Sequence, residues 1–173
     1  MAHALPRLGL RLLAGLSVML GGFSLRYVLP RVPFAVQSAN FHSHLTALVV
    51  HAASAACALA LGPWQFLAGW RGRWPRLHRY VGRTYVAVVT VAALAALWIA
   101  PTAAAGPVSS VGFAALAVAW LVTTSLGVAR VLEDDIPAHR RWMMRSFALT
   151  AAAITLRVYL ALTSLLNWSF AST

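Results

Sequence analysis

The sequence predicts an all-α membrane protein: a bundle of about five transmembrane helices that forms one domain over residues 1–173. Three observations lead to this prediction. Of the 173 residues, 61% are hydrophobic and 10% are charged, against roughly 25% charged residues in a typical soluble domain. The mean hydropathy is +0.75. The apolar residues also fall into runs of about 20 residues, the length that crosses a bilayer as a helix.

The apolar runs predict the individual helices. They cover residues 8–29, 44–67, 83–100, 111–129 and 146–168. Prolines favour helix boundaries between the runs, at Pro30, Pro33, Pro101, Pro107 and Pro137. Pro63 lies inside the second run and should kink that helix or end it early. The first run follows arginines as a signal peptide would. It lacks a clear small-residue cleavage site, so we expect an uncleaved helix.

The distribution of arginine residues predicts how the helices are oriented in the membrane. Arginine alone supplies the positive charges that the positive-inside rule counts, because the chain has no lysine. One arginine-rich segment joins the second and third runs and contains Arg71, Arg73, Arg76, Arg79 and Arg83. The other joins the fourth and fifth runs and contains Arg130, Arg140, Arg141 and Arg145. The segment 101–110 has no charge. The positive-inside rule therefore predicts an inner-membrane protein with a cytoplasmic N-terminus and a periplasmic C-terminus.

The net charge of +11 does not indicate nucleic-acid binding here. The arginines lie between apolar runs, where they contact the headgroups of the lipid bilayer, so we expect lipid and no nucleic acid as partner. The only acids are consecutive: Glu133, Asp134 and Asp135. They form either a weak divalent-cation site or a solvated run that neutralises nearby arginines. The single Cys57 excludes an internal disulfide, and we expect it to be buried.

His44 and His51 are candidate cofactor-binding residues in the outer half of the second helix. They are seven residues apart and share one helix face. Small residues border this face at Ala47, Ser54, Ala55 and Ala58, so a flat cofactor or another helix could approach closely. Ionisable groups inside a membrane are costly and are usually functional. The alternative is a neutral histidine that is hydrogen-bonded to a neighbouring helix.

Arg157 is the second candidate in the outer half. It lies twelve residues beyond Arg145, about 18 Å into the bilayer, at a depth similar to that of His51. A stripe of polar and small residues should turn it toward the bundle interior: Ser146, Thr150, Ala153, Ala161 and Ser164. No acid lies in the membrane to pair with it, so a haem propionate, a lipid phosphate or a quinone oxygen would serve. Snorkelling to the interface is the alternative.

His78 and His139 begin the third and fifth helices on the same side of the membrane. Two imidazole groups on different helices at one level are what a bis-histidine b-type haem requires. We therefore predict them as candidate ligands of one haem iron. The alternative is a pair of membrane-edge histidines that bind headgroups or loops.

From residue 51 onward the chain resembles a family of bacterial predicted membrane proteins of unknown function. Three motifs carry the resemblance: LGPWQF at 61–66, LHRYVGRTY at 77–85, and HRRWMMRSFALT at 139–150 with Leu156 and Arg157 following. The resemblance implies a multi-helix membrane protein and no established activity. A looser architectural likeness links the chain to two-haem cytochromes of the b561 kind. Those need a histidine pair from two helices at each face, whereas His44 and His51 share one helix.

These observations favour a membrane redox or electron-transfer protein that carries one b-type haem or a quinone. Two alternatives remain open: an accessory or assembly subunit of a larger membrane complex, and a small anion transporter that uses Arg157 and His51. The sequence contains no Ser-His-Asp set, phosphate loop or zinc motif. Whether the chain is an enzyme therefore stays open.

Overall fold

A computed structural model describes residues 15–19, 22, 44–66, 72–103 and 106–165 of the protein. After residue 156, Tyr159 is the only residue whose side chain is described. Four long helices lie in these ranges: α1 Leu45–Leu61, α2 Pro75–Ile99, α3 Pro107–Leu132 and α4 Ile136–Leu165. Residues 15–19 are also helical, and the described ranges contain no strand. The all-α membrane class is confirmed. Most of the first predicted helix lies outside the described residues.

Pro63 ends α1, as predicted from the sequence, and Pro75 starts α2, which was not predicted. The helix α1 ends at Leu61, and Pro63–Phe66 continues the chain as a short 3-10 helix. Pro63 cannot donate the hydrogen bond that would extend an α-helix. Pro75 is the first residue of α2, a position where the missing N–H has no cost.

The arginine-rich segments differ from their prediction as loops. The helices α2 and α4 begin at Pro75 and Ile136, eight and ten residues before the predicted runs at 83 and 146. Hydropathy detects only the part of a helix that lies in hydrocarbon, whereas arginine is a good helix former that extends a helix into the headgroup layer. Most of these arginines are therefore displayed on the first turns of two helices.

Three of the described helices are long and apolar enough to span a bilayer: Leu45–Phe66, Pro75–Thr102 and Pro107–Leu132. In their apolar windows only 28%, 28% and 22% of the residues are buried inside the protein. Large apolar side chains such as Val108 and Trp98 are 86% and 70% exposed. A water-soluble protein would not expose such faces, so lipid is the solvent that covers them.

The helices pack as antiparallel neighbours in chain order. The helix α1 lies along α2, α2 contacts α3, and α3 lies along α4. The apolar core is centred on Tyr85 and Val89 of α2, with Leu59 of α1 and Phe147 of α4. The alternate direction of successive helices brings the starts of α2 and α4 and the ends of α1 and α3 to one end of the bundle. We call this the arginine-rich end.

Side-chain exposure at the membrane edge is typical of interfacial aromatic residues, and on α1 it corrects one prediction. Trp74 and Tyr80 at the arginine-rich end are 54% and 71% exposed, as interfacial aromatics should be. Cys57, which was predicted to be buried, is exposed on α1. A thiol is a small apolar group that lipid accommodates as well as a protein core does, so composition could not separate the two environments.

Candidate functional site

The two histidines predicted as haem ligands occupy equivalent positions. His78 is the fourth residue of α2 and His139 is the fourth residue of α4. The start of α4 is fixed by Asp135, whose Oδ1 accepts a hydrogen bond from the backbone N–H of Ala138 at 2.9 Å. Both imidazole groups are half-buried. Both therefore lie at the arginine-rich end, as the sequence predicts.

The neighbouring helix holds the ring of His139. Its Nδ1 lies 2.7 Å from the backbone carbonyl oxygen of Gly127 on α3. A carbonyl oxygen only accepts hydrogen bonds, so Nδ1 carries the hydrogen and Nε2 of the neutral ring carries the lone pair. Proteins commonly orient a metal-binding histidine in this way. Gly127 lets α4 approach α3 closely at this point, because a Cβ atom on residue 127 would lie only 2.6 Å from Met143 Sδ.

A buried contact between two hydroxyl groups links α2 and α4. The hydroxyl groups of Tyr85 and Ser146 are 3.1 Å apart. Tyr85 follows His78 by seven residues, and Ser146 follows His139 by seven residues. Seven residues are close to two helical turns, about 10 Å, and return to nearly the same face. Each histidine therefore lies about two turns from this contact, toward the arginine-rich end, on the face of its own helix that carries Tyr85 or Ser146.

A cluster of buried hydroxyl groups joins α2, α3 and α4. The Tyr85 hydroxyl group also lies 2.9 Å from Thr150 Oγ1, and Ser146 Oγ lies 2.7 Å from Thr124 Oγ1. Ser146 and Thr150 are buried, which confirms the first part of the inward-facing polar stripe expected on this helix, while the side chains of Ala161 and Ser164 lie outside the described residues. Tyr85 and Thr124 were missed, because a tyrosine near a membrane edge resembles an interfacial aromatic and a threonine commonly bonds to its own helix.

The hydroxyl groups of this cluster have fewer hydrogens to donate than contacts to fill. Thr124 donates to the carbonyl oxygen of Trp120, and Thr150 donates to that of Ser146. Only the Tyr85 and Ser146 hydrogens then remain for three contacts between hydroxyl groups. The indole Nε1 of Trp120 is also buried, and it forms no hydrogen bond with a described residue.

His51 is bonded to a neighbouring helix. Its Nδ1 lies 2.9 Å from the backbone carbonyl oxygen of Ala92 on α2, so this nitrogen carries the hydrogen. Ala58 on α1 and Ala92 on α2 are fully buried, because small side chains let the two helices approach closely. This is the structural alternative stated for His51, while a ligand role stays a prediction.

His44 and Arg157 complete the predicted residues of the outer half. His44 precedes the first residue of α1, and its backbone carbonyl oxygen accepts a hydrogen bond from the N–H of Leu48 at 3.0 Å. Arg157 lies within α4, and its side chain is outside the described residues. The predicted cavity shared by His51 and Arg157 therefore stays a prediction.

The acidic run has two structural roles. Glu133 forms a 2.6 Å ion pair with Arg130 on the protein surface, and Asp135 caps α4. Asp134 has a positive φ of 58°, in the turn that separates α3 from α4. Among the described residues, no group of three histidine, cysteine or acidic side chains could hold a metal ion. The cation-binding interpretation of this run gains no support.

The motifs that carry the family resemblance meet near the arginine-rich end. The backbone of Gly62 touches the ring of Phe147, where a Cβ atom would overlap it. The rings of Phe66 and Phe147 pack with their centroids 5.4 Å apart. The segment 61–66 therefore docks on α4, while Tyr85 from the second motif binds the same helix.

Gln65 adds a buried donor beside His78. Its side-chain Nε2 is buried and has no hydrogen-bond partner among the described residues. Its Oε1 would lie 3.4 Å from a Cβ atom on Gly82. Gly82 is four residues after His78 on α2, so the amide group lies within about one turn, roughly 6 Å, of the His78 level. A buried donor of this kind favours a polar ligand atom nearby.

Comparison with known proteins identifies the family and no activity. No curated protein and no solved structure matches the chain, so the likeness to b561-type cytochromes rests on helix number and histidine placement alone. A family model described as "Predicted membrane protein (DUF2306)" matches residues 48–172, which contain all four described helices except the first turn of α1. With its apolar spans and the three converging motifs, the chain belongs to this family of predicted membrane proteins of unknown function.

Proposed function

We propose that this integral membrane protein binds one b-type haem at its arginine-rich end, with His78 and His139 as axial ligands. The observation that carries the proposal is the equivalent placement of the two histidines, each the fourth residue of its helix and seven residues before a partner in the Tyr85–Ser146 contact. Two imidazole groups on different helices at one level match the ligand set of such haems. When bound, the haem would supply one-electron redox chemistry.

The donor set fits this group in two respects. The bond from His139 Nδ1 to Gly127 leaves Nε2 as the nitrogen with a lone pair. The buried Nε2 of Gln65, which has no hydrogen-bond partner in the described part of the chain, offers a donor to a polar edge of a cofactor. The close contact of Gly62 with Phe147 leaves no room for a macrocycle between those residues. The proposed site therefore lies on the arginine-rich side of that contact.

Absorption spectra of variants test this proposal. Protein made in a host supplied with a haem precursor should show a Soret band and a dithionite-reducible b-type spectrum. His78→Ala and His139→Ala should each abolish this spectrum, because the proposed haem needs both imidazole groups as axial ligands. His44→Ala is the matched control, since His44 precedes α1 at the other end of the bundle, and it should keep the spectrum. A wild-type protein without Soret absorbance would refute the proposal.

A second candidate is an accessory or assembly subunit of a larger membrane complex. One observation favours it: His51 and His139 both donate to carbonyl groups of neighbouring helices, so a packing role accounts for both residues without a ligand. Extraction of purified protein with organic solvent separates the cofactor classes. A bound quinone would support a redox role without haem, while protein free of haem and quinone would make the accessory role the leading one.

A further inference from the structure

Three arginines form a line on one face of α2. Arg76, Arg79 and Arg83 are spaced i, i+3 and i+7, so their side chains leave the helix in nearly the same direction. All three are exposed. Along the axis they cover seven residues, about 10 Å, which together with the reach of their side chains spans the headgroup layer of one leaflet. We call these residues the α2 arginine line.

The α2 arginine line has no counter-ion within the described protein. In the described ranges the only ion pair between side chains joins Arg130 to Glu133. Asp135 is engaged by the N-terminus of α4. Three neighbouring guanidinium groups repel one another unless an external anion lies among them, and guanidinium groups match phosphate oxygens in geometry. Phosphate is therefore the chemistry that this surface fits.

The same face of α2 continues as an apolar stripe toward the other membrane surface. It is formed by the exposed residues Ala87, Thr90, Val91, Leu94 and Trp98. The Thr90 hydroxyl group donates to the carbonyl oxygen of Val86 on its own helix, so it needs no partner in this surface. A polar anion site thus passes directly into a surface for a hydrocarbon chain. Free phosphate would contact only the α2 arginine line and would leave the apolar stripe uncovered.

We propose that this face of α2 binds an anionic phospholipid, whose phosphate group lies among Arg76, Arg79 and Arg83 and whose acyl chain runs along the apolar stripe. The inference does not depend on haem binding, because it uses no histidine. The arginines near the start of α4 do not offer the same surface. Arg140, Arg141 and Arg145 point in directions that span about 140° around α4, and Arg145 stacks over the ring of Trp142 at 4.4 Å.

Native mass spectrometry with added lipid tests the site. Protein in non-ionic detergent is titrated with phosphatidylglycerol or phosphatidylcholine, and bound lipids are counted. We expect wild-type protein to retain phosphatidylglycerol in preference to phosphatidylcholine. The variant Arg76→Gln/Arg79→Gln/Arg83→Gln should bind phosphatidylglycerol roughly 100-fold more weakly, because each arginine near a lipid surface contributes about a fivefold gain in affinity. If the triple variant does not fold, each single variant should show that fivefold loss.

Two further arms separate this site from general attraction. The variant Arg140→Gln/Arg141→Gln removes charge at the same end of the bundle and should change phosphatidylglycerol binding by less than about threefold. Inorganic phosphate at the lipid's concentration should not displace bound phosphatidylglycerol. An equal loss of affinity in the α2 and α4 variants would overturn the proposal. Displacement by inorganic phosphate would also overturn it, because the site would then be one for a free anion.

Discussion

The hydroxyl groups of Tyr85 on α2 and Ser146 on α4 lie 3.1 Å apart in the core of the bundle. This contact links two helices that are not adjacent in the sequence. It brings Tyr85 of the second family motif against Ser146 of the third, and His78 and His139 each lie seven residues before it. The described structure thus connects a packing feature inside the membrane with the candidate ligands at its edge.

Tyr85→Phe should lower the free energy of unfolding by about 0.5–1.5 kcal/mol, because it removes the hydroxyl group that contacts both Ser146 and Thr150. Unfolding in mixed detergent measures this change. The control is Thr90→Val, since the exposed Thr90 hydroxyl group donates only to its own helix, and it should stay within about 0.5 kcal/mol of wild type. Equal stability of Tyr85→Phe and wild type would show that the hydroxyl cluster does not hold the helices.

Gly62→Ala should destabilise the protein by about 1–3 kcal/mol, the usual range for overpacking. A methyl group there would overlap the Phe147 ring, and that ring is also packed against Phe66. Gly112→Ala is the matched control, since nothing lies within 4 Å of a Cβ atom at that position of α3. It should leave stability unchanged or raise it by up to about 1 kcal/mol. The docking of 61–66 on α4 would be wrong if both variants behaved alike.

Hydropathy and proline placement predict most of the described fold. The end of α1 before Pro63 and the helical character of four apolar runs follow from local rules that the sequence displays directly. The starts of α2 and α4 do not follow, because arginine-rich turns outside the hydrocarbon have no apolar signal. The contact of Gly62 with Phe147 was also not predictable, since it depends on which faces of two distant helices meet.

Reporter fusions should place Gly72 in the cytoplasm and the end of the chain after Thr173 in the periplasm. The reason is the positive-inside rule applied to the arginine-rich end, together with five spans. Reversed readings at both positions would contradict the orientation. If reporters at Gly72 and after Thr173 both read as cytoplasmic, the chain would cross the membrane one time fewer than predicted.

Arg157→Leu should reduce ligand or partner binding more than it reduces stability, if His51 and Arg157 line one polar cavity. Removing a buried cation together with its need for solvation leaves a helix bundle about equally stable. Arg157→Lys should also fail to bind, because an ammonium group does not reproduce a planar guanidinium group. An experimental structure with the Arg157 guanidinium group more than about 10 Å from the His51 ring, beyond one bridging water or ligand group, would end the shared-cavity hypothesis.

The candidate site was predictable in its residues and only partly in its geometry. The sequence alone places His78 and His139 on one side of the membrane, because both lie in arginine-rich segments that the positive-inside rule assigns to the same side. The bond from His139 to the Gly127 carbonyl oxygen could not be predicted from the sequence, nor could the buried Nε2 of Gln65, which has no hydrogen-bond partner among the described residues. They depend on the separation and rotation of neighbouring helices, which small-residue contacts such as Gly127 with Met143 determine.

Electron paramagnetic resonance of the oxidised protein tests the ligation of one haem by two histidines most directly. Wild-type protein loaded with haem should give the low-spin ferric signal of two imidazole ligands. His78→Ala and His139→Ala should each convert it to a high-spin signal or lose the haem, whereas His44→Ala should keep the low-spin signal. A low-spin signal that persists in either single variant would contradict the account, because the iron would then be bound elsewhere.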